Sequence, residues 1–365
     1  MIVCVLPAPP QPKGGVPSWY YFVTKRLEKI ENSYVIFPLT SKQNFVPPEL
    51  KVNTIMIPIK TDIKNIIKRK IKTVFFPYSY LVTDELVRKV KKLCERSKTL
   101  LHVENIWTGN IIFYIQAKSI IFLHHILNLD YACDNSRSFE TLRQKFQERR
   151  IISKFNFIRV ESEKMEKWMR EEAKKENIFK IPCAISLEFY RFKIQRGKTG
   201  KVGLIAGMGW HLGLKSALYL INEIAPLLKY KKIVIGGWNA GILRRYVKTE
   251  NVEIIENLKS SEDFFRSIDA LCYPLMCGSG MKMKVLESMA YGVPVISTYD
   301  GFEGIKIKDG ENCLVAKTPA EFVEKIEKVE KLKKEISLSG RETVEKICYD
   351  AETKLLNTWE NLSKI

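Results

Sequence analysis

Short apolar runs alternate with polar stretches of helical length along the whole chain. In the first half IVCVLP, SYVIFPL, NTIMIPI, KTVFFPY, KTLLHVEN, SIIFLHH and FNFIRVES read as strands. Several are apolar on both faces, as strands of a buried parallel sheet are. Helices are predicted over Ser18 to Lys29, Asp84 to Arg96, Ser138 to Lys154 and Glu163 to Lys175. The periodicity lapses and charge rises between Ser186 and Gly200, which sets a domain boundary near residue 190. The pattern then restarts with the strand KVGLIAG, a helix within SALYLINEIAPLL, and the strands KKIVIGG, VEIIENL and SIDALCYPL. A last helix is expected within Tyr349 to Leu362. This alternation is that of α/β domains with parallel sheets.

The most informative stretch is CGSGMKMKVLESMAYGVPVISTYDGFEGI, Cys277 to Ile305. A strand precedes it, and open parallel sheets bind ligands at the carboxyl ends of their strands. Gly278, Ser279 and Gly280 form a turn that allows close backbone approach, and unpaired amides at the start of the following helix attract anions. Lys282 and Lys284 stand in the first turn, where the helix dipole disfavours cations unless an anion lies among them. Glu287, three residues after Lys284, shares its helical face and can accept from two hydroxyls of a ribose. Read singly, each lysine belongs to an ordinary solvated Lys/Glu face; the whole string is more specific than that.

In that string the chain resembles the donor-binding half of a GT-B glycosyltransferase, similar to the retaining enzymes of family 4. The pattern is roughly G-x-G-x-K-x-K-x-L-E-A-M-A-x-G-x-P-V-V-x-T-x-x-G-x-E-G, followed from Gly278 to Gly304 with Ser288 and Ile296 as departures. The resemblance implies two Rossmann-like domains facing a cleft. Residues 1–190 would hold the acceptor, residues 191–348 the nucleotide sugar, and a C-terminal helix, 349–365, would cross back to the first domain. It implies that Glu287 holds the ribose and that Lys284, with Lys282, faces the diphosphate. An upstream family glutamate that meets the donor sugar falls at Ser279, where amides of Gly280 and Met281 would substitute. Glu303 matches a later family glutamate and equally suits a turn.

Other site residues follow from the same resemblance. Gly207 and Gly209, with Lys215, would lie across from the lysine-bearing helix; His211 in that loop could hydrogen-bond a phosphate, a loop histidine with no such task being the simpler reading. Gly237, Glu256 and Asn257 would frame the nucleobase. Gly14 and Gly15 would bring backbone to both substrates, and either His124 or His125 would touch the donor sugar, the other facing away. His102 and Glu104 form a competing site on a neighbouring strand. Glu148 is read as a helical pair with Lys145.

Composition narrows the partners. Hydrophobic residues at 45% and aromatics at 11% indicate a globular chain, and no apolar run reaches the roughly 18 residues of a membrane span. The opening MIVCVLPAPP reads as a first strand rather than a signal peptide. Eight cysteines without a C-x-x-C pair suit free thiols in a cytoplasmic protein, Cys272 and Cys277 as small buried hydrophobes. The net charge of +19 favours anionic partners, although a Lys-, Ile- and Glu-rich chain also fits surface ion networks. Within KTDIKNIIKRKIK, Ile63, Ile66, Ile67 and Ile71 form an apolar helical face whose default is packing on the protein's own sheet, with an anionic membrane as the alternative. No basic motif interleaved with aromatics points to nucleic acid.

The expected activity is therefore transfer of a sugar from a nucleotide diphosphate sugar to a glycan, lipid-linked or other acceptor, with the retention that the resemblance implies. The nucleotide sugar is a co-substrate, so no cofactor is expected. No Asp-x-Asp occurs, so the usual carboxylate pair for a sugar-nucleotide metal is missing. Two other readings are a GT-B nucleotide-sugar epimerase and a basic protein that binds membrane or nucleic acid without catalysis.

Overall fold

The computed structural model describes residues 1–40, 49–95, 98–131, 139–194, 198–228 and 230–364. The expected helix start at Ser138 and the middle of the basic run Lys193 to Lys201 lie outside them. Two compact units result: Met1–Asn128, Asp134–Ser186 and Tyr349–Ile365 form the first, Leu129–Cys133 and Leu187–Cys348 the second.

The first unit carries strands β1 (Ile2–Val5), β2 (Tyr34–Thr40), β3 (Asn53–Ile59), β4 (Leu100–Glu104), β5 (Lys118–Phe122), β6 (Phe157–Val160) and β7 (Ile178–Lys180). They pair in the order β3-β2-β1-β4-β5-β6-β7, parallel throughout. Its helices are α1 (Val16–Leu27), α2 (Ile63–Phe75), α3 (Asp84–Cys94), the short α4 (Ile106–Gly109) and α5 (Leu127–Asp130), α6 (Phe139–Lys154) and α7 (Glu163–Glu171). Local signals set their starts. The side chains of Asp62, Thr83 and Ser162 accept from the amides of Asn65, Leu86 and Met165, the N-cap bond that satisfies an orphan donor.

The second unit has β8 (Lys201–Ile205), β9 (Lys232–Gly237), β10 (Val252–Glu256), β11 (Ala270–Tyr273), β12 (Val295–Ser297) and β13 (Leu314–Val315) in the parallel order β10-β9-β8-β11-β12-β13. Its helices are α8 (His211–Tyr219), which runs on into a π-helical turn, α9 (Ser261–Arg266), α10 (Met283–Tyr291) and the 46-residue α11 (Pro319–Lys364), whose last residues belong to the first unit. In each unit the strand order reverses beside the first strand, and the loops after the strands flanking that point define the ligand crevice of such sheets. In the second unit these loops follow β8 and β11.

Three expectations change. KTVFFPY is not a strand: its first residues end α2, because Asp62 caps a helix that runs through Phe75. The apolar face of α2 does not pack on the sheet, since no residue of α2 is buried. Glu148 is not a solvated pair member; it is fully buried and accepts from the Leu127 amide at the start of α5.

Candidate functional site

Beyond β11 the chain turns through Gly278 and Gly280, both at positive φ, and enters α10 with Lys282 as N-cap. Lys282 does not point outward. Its ammonium donates to the carbonyls of Ser279 at 2.8 Å and Gly280 at 2.5 Å, closing the loop on itself. Lys284 is half-buried, its ammonium 4.4 Å from the centre of the Tyr273 ring. Burial pushes that ammonium down to about 8, Lys282 repels it further, and Glu287 only partly offsets the two. A cation held this way is stabilised by an incoming anion. Glu287 is buried on the same helical face, and Oε1 accepts from the Tyr190 hydroxyl at 2.9 Å. Arg341 donates to the carbonyls of Tyr190 and Ala290, fastening Tyr190 beside α10.

Ser279, where the family pattern has its glutamate, meets a carboxylate from elsewhere. Its amide and hydroxyl both donate to Asp130 Oδ1, each at 2.7 Å, and Asp130 is 1% exposed. His211, at the start of α8, donates from Nε2 to the Asp130 carbonyl at 3.1 Å and stacks on Tyr131 with ring centres 4.2 Å apart. A carbonyl only accepts, so His211 carries its proton on Nε2 and that nitrogen is turned to Asp130 instead of a phosphate. Asp130, Tyr131 and Tyr190 were not foreseen. The only trace of Tyr190 in the sequence is an aromatic in the stretch where periodicity lapses, and Asp130 lies 149 positions from its partner.

The remaining residues of the second unit gather at the carboxyl ends of β8, β9 and β10. Gly207 opens the loop after β8, and Gly209 lies against the Trp238 ring, where a Cβ would come within 2.5 Å. Lys215 is exposed on α8. Gly237, at φ 142, packs where a Cβ would stand 2.1 Å from the Ala206 carbonyl, so glycine is required there by the approach of β9 to β8. The Glu256 carboxylate lies 3.7 Å from Arg244, and the Asn257 amide donates to the Gly237 carbonyl. Met281, next after the Gly278–Gly280 turn, is buried, and Glu303 caps a short 3₁₀ turn. Cys4, Cys94, Cys183, Cys272, Cys313 and Cys348 are free thiols, whereas Cys277 is disulfide-bonded; spacing alone does not announce a pair that only folding brings together.

In the first unit Gly14 and Gly15, at φ 96 and 65, lead into α1 with open space where a side chain would be. His102, Glu104 and His124 are not rival sites but one buried network. Trp359 Nε1 donates to His102 Nδ1 at 3.2 Å, His102 Nε2 meets Glu104 Oε1 at 3.0 Å, and Glu104 Oε2 meets His124 Nε2 at 2.8 Å. His124 Nδ1 then meets Glu161 Oε1 at 2.6 Å, which also accepts from Arg159 at 2.8 Å. Burial alone would raise Glu104, but its histidine hydrogen bonds bring it to about 2; burial is likewise outweighed at Glu161, about 2, by Arg159 and His124. Burial opposes a charged His124, yet Cys183, Glu104 and Glu161 hold it well above the ordinary histidine range. With both ring nitrogens facing carboxylates, His124 has no N–H left for a ligand. His125 is the half-buried member of the pair. His124, Glu161 and Cys183 also place ligand-type atoms within 4.8 Å of one another, but the Arg159 guanidinium already supplies the cation there.

Both units are thus parallel Rossmann-like sheets, and the second carries a lysine, a carboxylate and a glycine turn at its switch point. This is the GT-B fold. Residues 200–331 match the glycosyl transferases group 1 family, which bears out the resemblance in the half where the motif lies. Among solved structures the chain is similar to sucrose-phosphate synthase from Thermosynechococcus elongatus, at 14% identity and TM-score 0.72, covering 100% of this chain and 98% of that one. It is similar to a TarM mutant from S. aureus in complex with Fondaparinux, alpha-GlcNAc-glycerol and UDP, at 11% identity and TM-score 0.71, covering 100% of both chains. It is also similar to HepE from Anabaena in complex with UDP and glucose, at 13% identity and TM-score 0.65, again over 100% of both. No curated protein matches the sequence significantly. No helix among the described residues is long and apolar enough to cross a membrane.

Proposed function

We propose that the chain transfers a sugar, with retention, from a nucleoside diphosphate sugar to a glycan or lipid-linked acceptor held by the first unit. The observation that carries this reading is the half-buried Lys284, depressed to about 8, beside the buried Glu287 at the sheet's switch point. Lys284 receives the diphosphate and stabilises the charge that grows on it as the glycosidic bond breaks. Glu287, oriented by Tyr190, accepts from the ribose hydroxyls, and Glu256 and Asn257, at the carboxyl end of β10, frame the base in this reading. Lys282 acts indirectly, by shaping the loop that presents the amides of Gly280 and Met281. The leaving group is stabilised by lysine and amides in place of a metal. Uridine nucleotides are the first donors to try, because TarM and HepE were solved with UDP.

The epimerase reading needs an accessible acid and base; of its candidates His102, Glu104 and His124 are buried in one network, which leaves only the half-buried His125, a single group where two are needed. The test is release of UDP from UDP-sugars with and without glycan acceptors. Acceptor-dependent release that falls by about 10²–10³-fold in Lys284→Ala is expected. Conversion of the sugar nucleotide without any acceptor would contradict the transferase reading.

A further inference from the structure

Helix α2 is built inside out. Of the residues it half-buries against the fold, Asn65, Arg69, Lys72 and Thr73 are polar and Ile66 alone is apolar; Arg69 donates to the Tyr80 hydroxyl and Lys72 to the Val82 carbonyl. Its apolar stripe of Ile63, Ile67, Ile71, Val74 and Phe75 faces solvent, with Ile63 76% and Phe75 71% exposed. A water-soluble surface rarely carries so dense an apolar ridge without a partner. Lys60, Lys64, Lys68 and Lys70 are exposed along its borders. The acids on α2 and its contacts are Asp62, which caps the helix, and Asp84, 3.9 Å from Lys68.

The ridge continues onto α6, where Phe139, Leu142 and Phe146 are exposed. Arg143 of α6 joins the two helices by donating to the Thr73 and Val74 carbonyls. A cavity of about 140 Å³ lies at this seam, lined by Lys72 and Phe76 of the α2 end, Tyr114, and Arg150 of α6. Ser79 also lines it, 2% exposed, with its hydroxyl buried and making no hydrogen bond. Two cations and an unsatisfied hydroxyl, with no acid among the lining residues, suit a phosphate group.

We propose that the α2/α6 face docks on an anionic phospholipid surface, with the apolar ridge entering the headgroup layer and one lipid phosphate entering the Lys72, Ser79 and Arg150 cavity. Charge complementarity selects this occupant. An apolar stripe rimmed by lysines matches the chemistry of an interface that is apolar below and negative above, whereas a second copy of this chain would bring a net charge of +19 against the same lysines. The proposal is independent of the donor site.

The test is flotation of the full chain with vesicles of phosphatidylcholine alone and of phosphatidylcholine with about 30% phosphatidylglycerol. At least about tenfold stronger binding to the anionic vesicles, weakened by salt, is expected. Ile67→Asn with Ile71→Asn should lose about tenfold or more, since each contributes buried apolar area. Lys72→Ala with Arg150→Ala should lower the preference for the anionic vesicles by about fivefold per residue. Glu287→Ala should float as the wild type does, which separates this proposal from the donor-site reading. Because the isoleucines are exposed, their variants should melt as the parent does; if they do not, Val74→Ser with Phe75→Ser repeats the test. Equal binding to both vesicles, no binding to either, or a dimer in sedimentation that the isoleucine variant dissociates would overturn the proposal.

Discussion

Asp130 accepts two hydrogen bonds from Ser279 through one carboxylate oxygen and one from His211 through its carbonyl. It is held against Ser279, the position at which the family pattern has glutamate, and we propose that this carboxylate takes over the glutamate's contact with the sugar hydroxyls. Asp130→Asn keeps an acceptor for Ser279 but removes the charge. Its nucleotide affinity should stay within about twofold of the parent, while sugar-nucleotide turnover falls by about 10²-fold; equal loss of both would mark a purely structural role. The glycine turn, Lys284 and Glu287 were legible because they lie within one local string. Asp130 and Tyr190 were not, since each joins that string through a contact that only the completed fold creates. Lys282 was legible as a residue but not in its task, because a side chain that folds back on its own loop leaves no spacing signal.

At the level of elements, β4, β5 and β6 end in a chain of buried charges that α11 closes with Trp359. Glu104 and Glu161, held near 2, have an unfolded value of about 4.3, so their contribution is present above that pH and is lost as pH falls through 4.3 toward 2. His124 is raised, so its contribution is present below about 6.5 and is lost as pH rises through the raised value. Urea melts across pH should therefore show stability falling on the acid side below about pH 4.3. Arg159→Met, which strands a buried carboxylate, should cost about 3–5 kcal/mol in the same melts at neutral pH; a cost below 1 kcal/mol (about the worth of an exposed pair) would show that the network is not charged. The strands that are apolar on both faces were readable from sequence because parallel burial leaves a continuous apolar run. KTVFFPY misled for the same reason: its apolar residues are those of a helix turned toward solvent, and β7, only three residues long, is too short to carry a pattern.

At the level of the whole molecule, two Rossmann-like sheets divide the chain, and the family match falls on the second, which carries Lys284 and Glu287. The first unit contributes the buried network, the docking face and part of the positive charge that the composition announces. What the sequence could not give is the orientation of α2, because periodicity predicts an apolar face without saying which way it turns. The central claim is a nucleotide-sugar site built on Lys284 and Glu287. Calorimetric titration of UDP, GDP, ADP and their sugar conjugates, beside Glu287→Ala, tests it most directly. One nucleotide class should bind, Glu287→Ala should abolish that binding, and affinity should weaken above about pH 8 as Lys284 loses its proton. If no nucleotide binds, or if Glu287→Ala binds like the parent, the site is not a donor site.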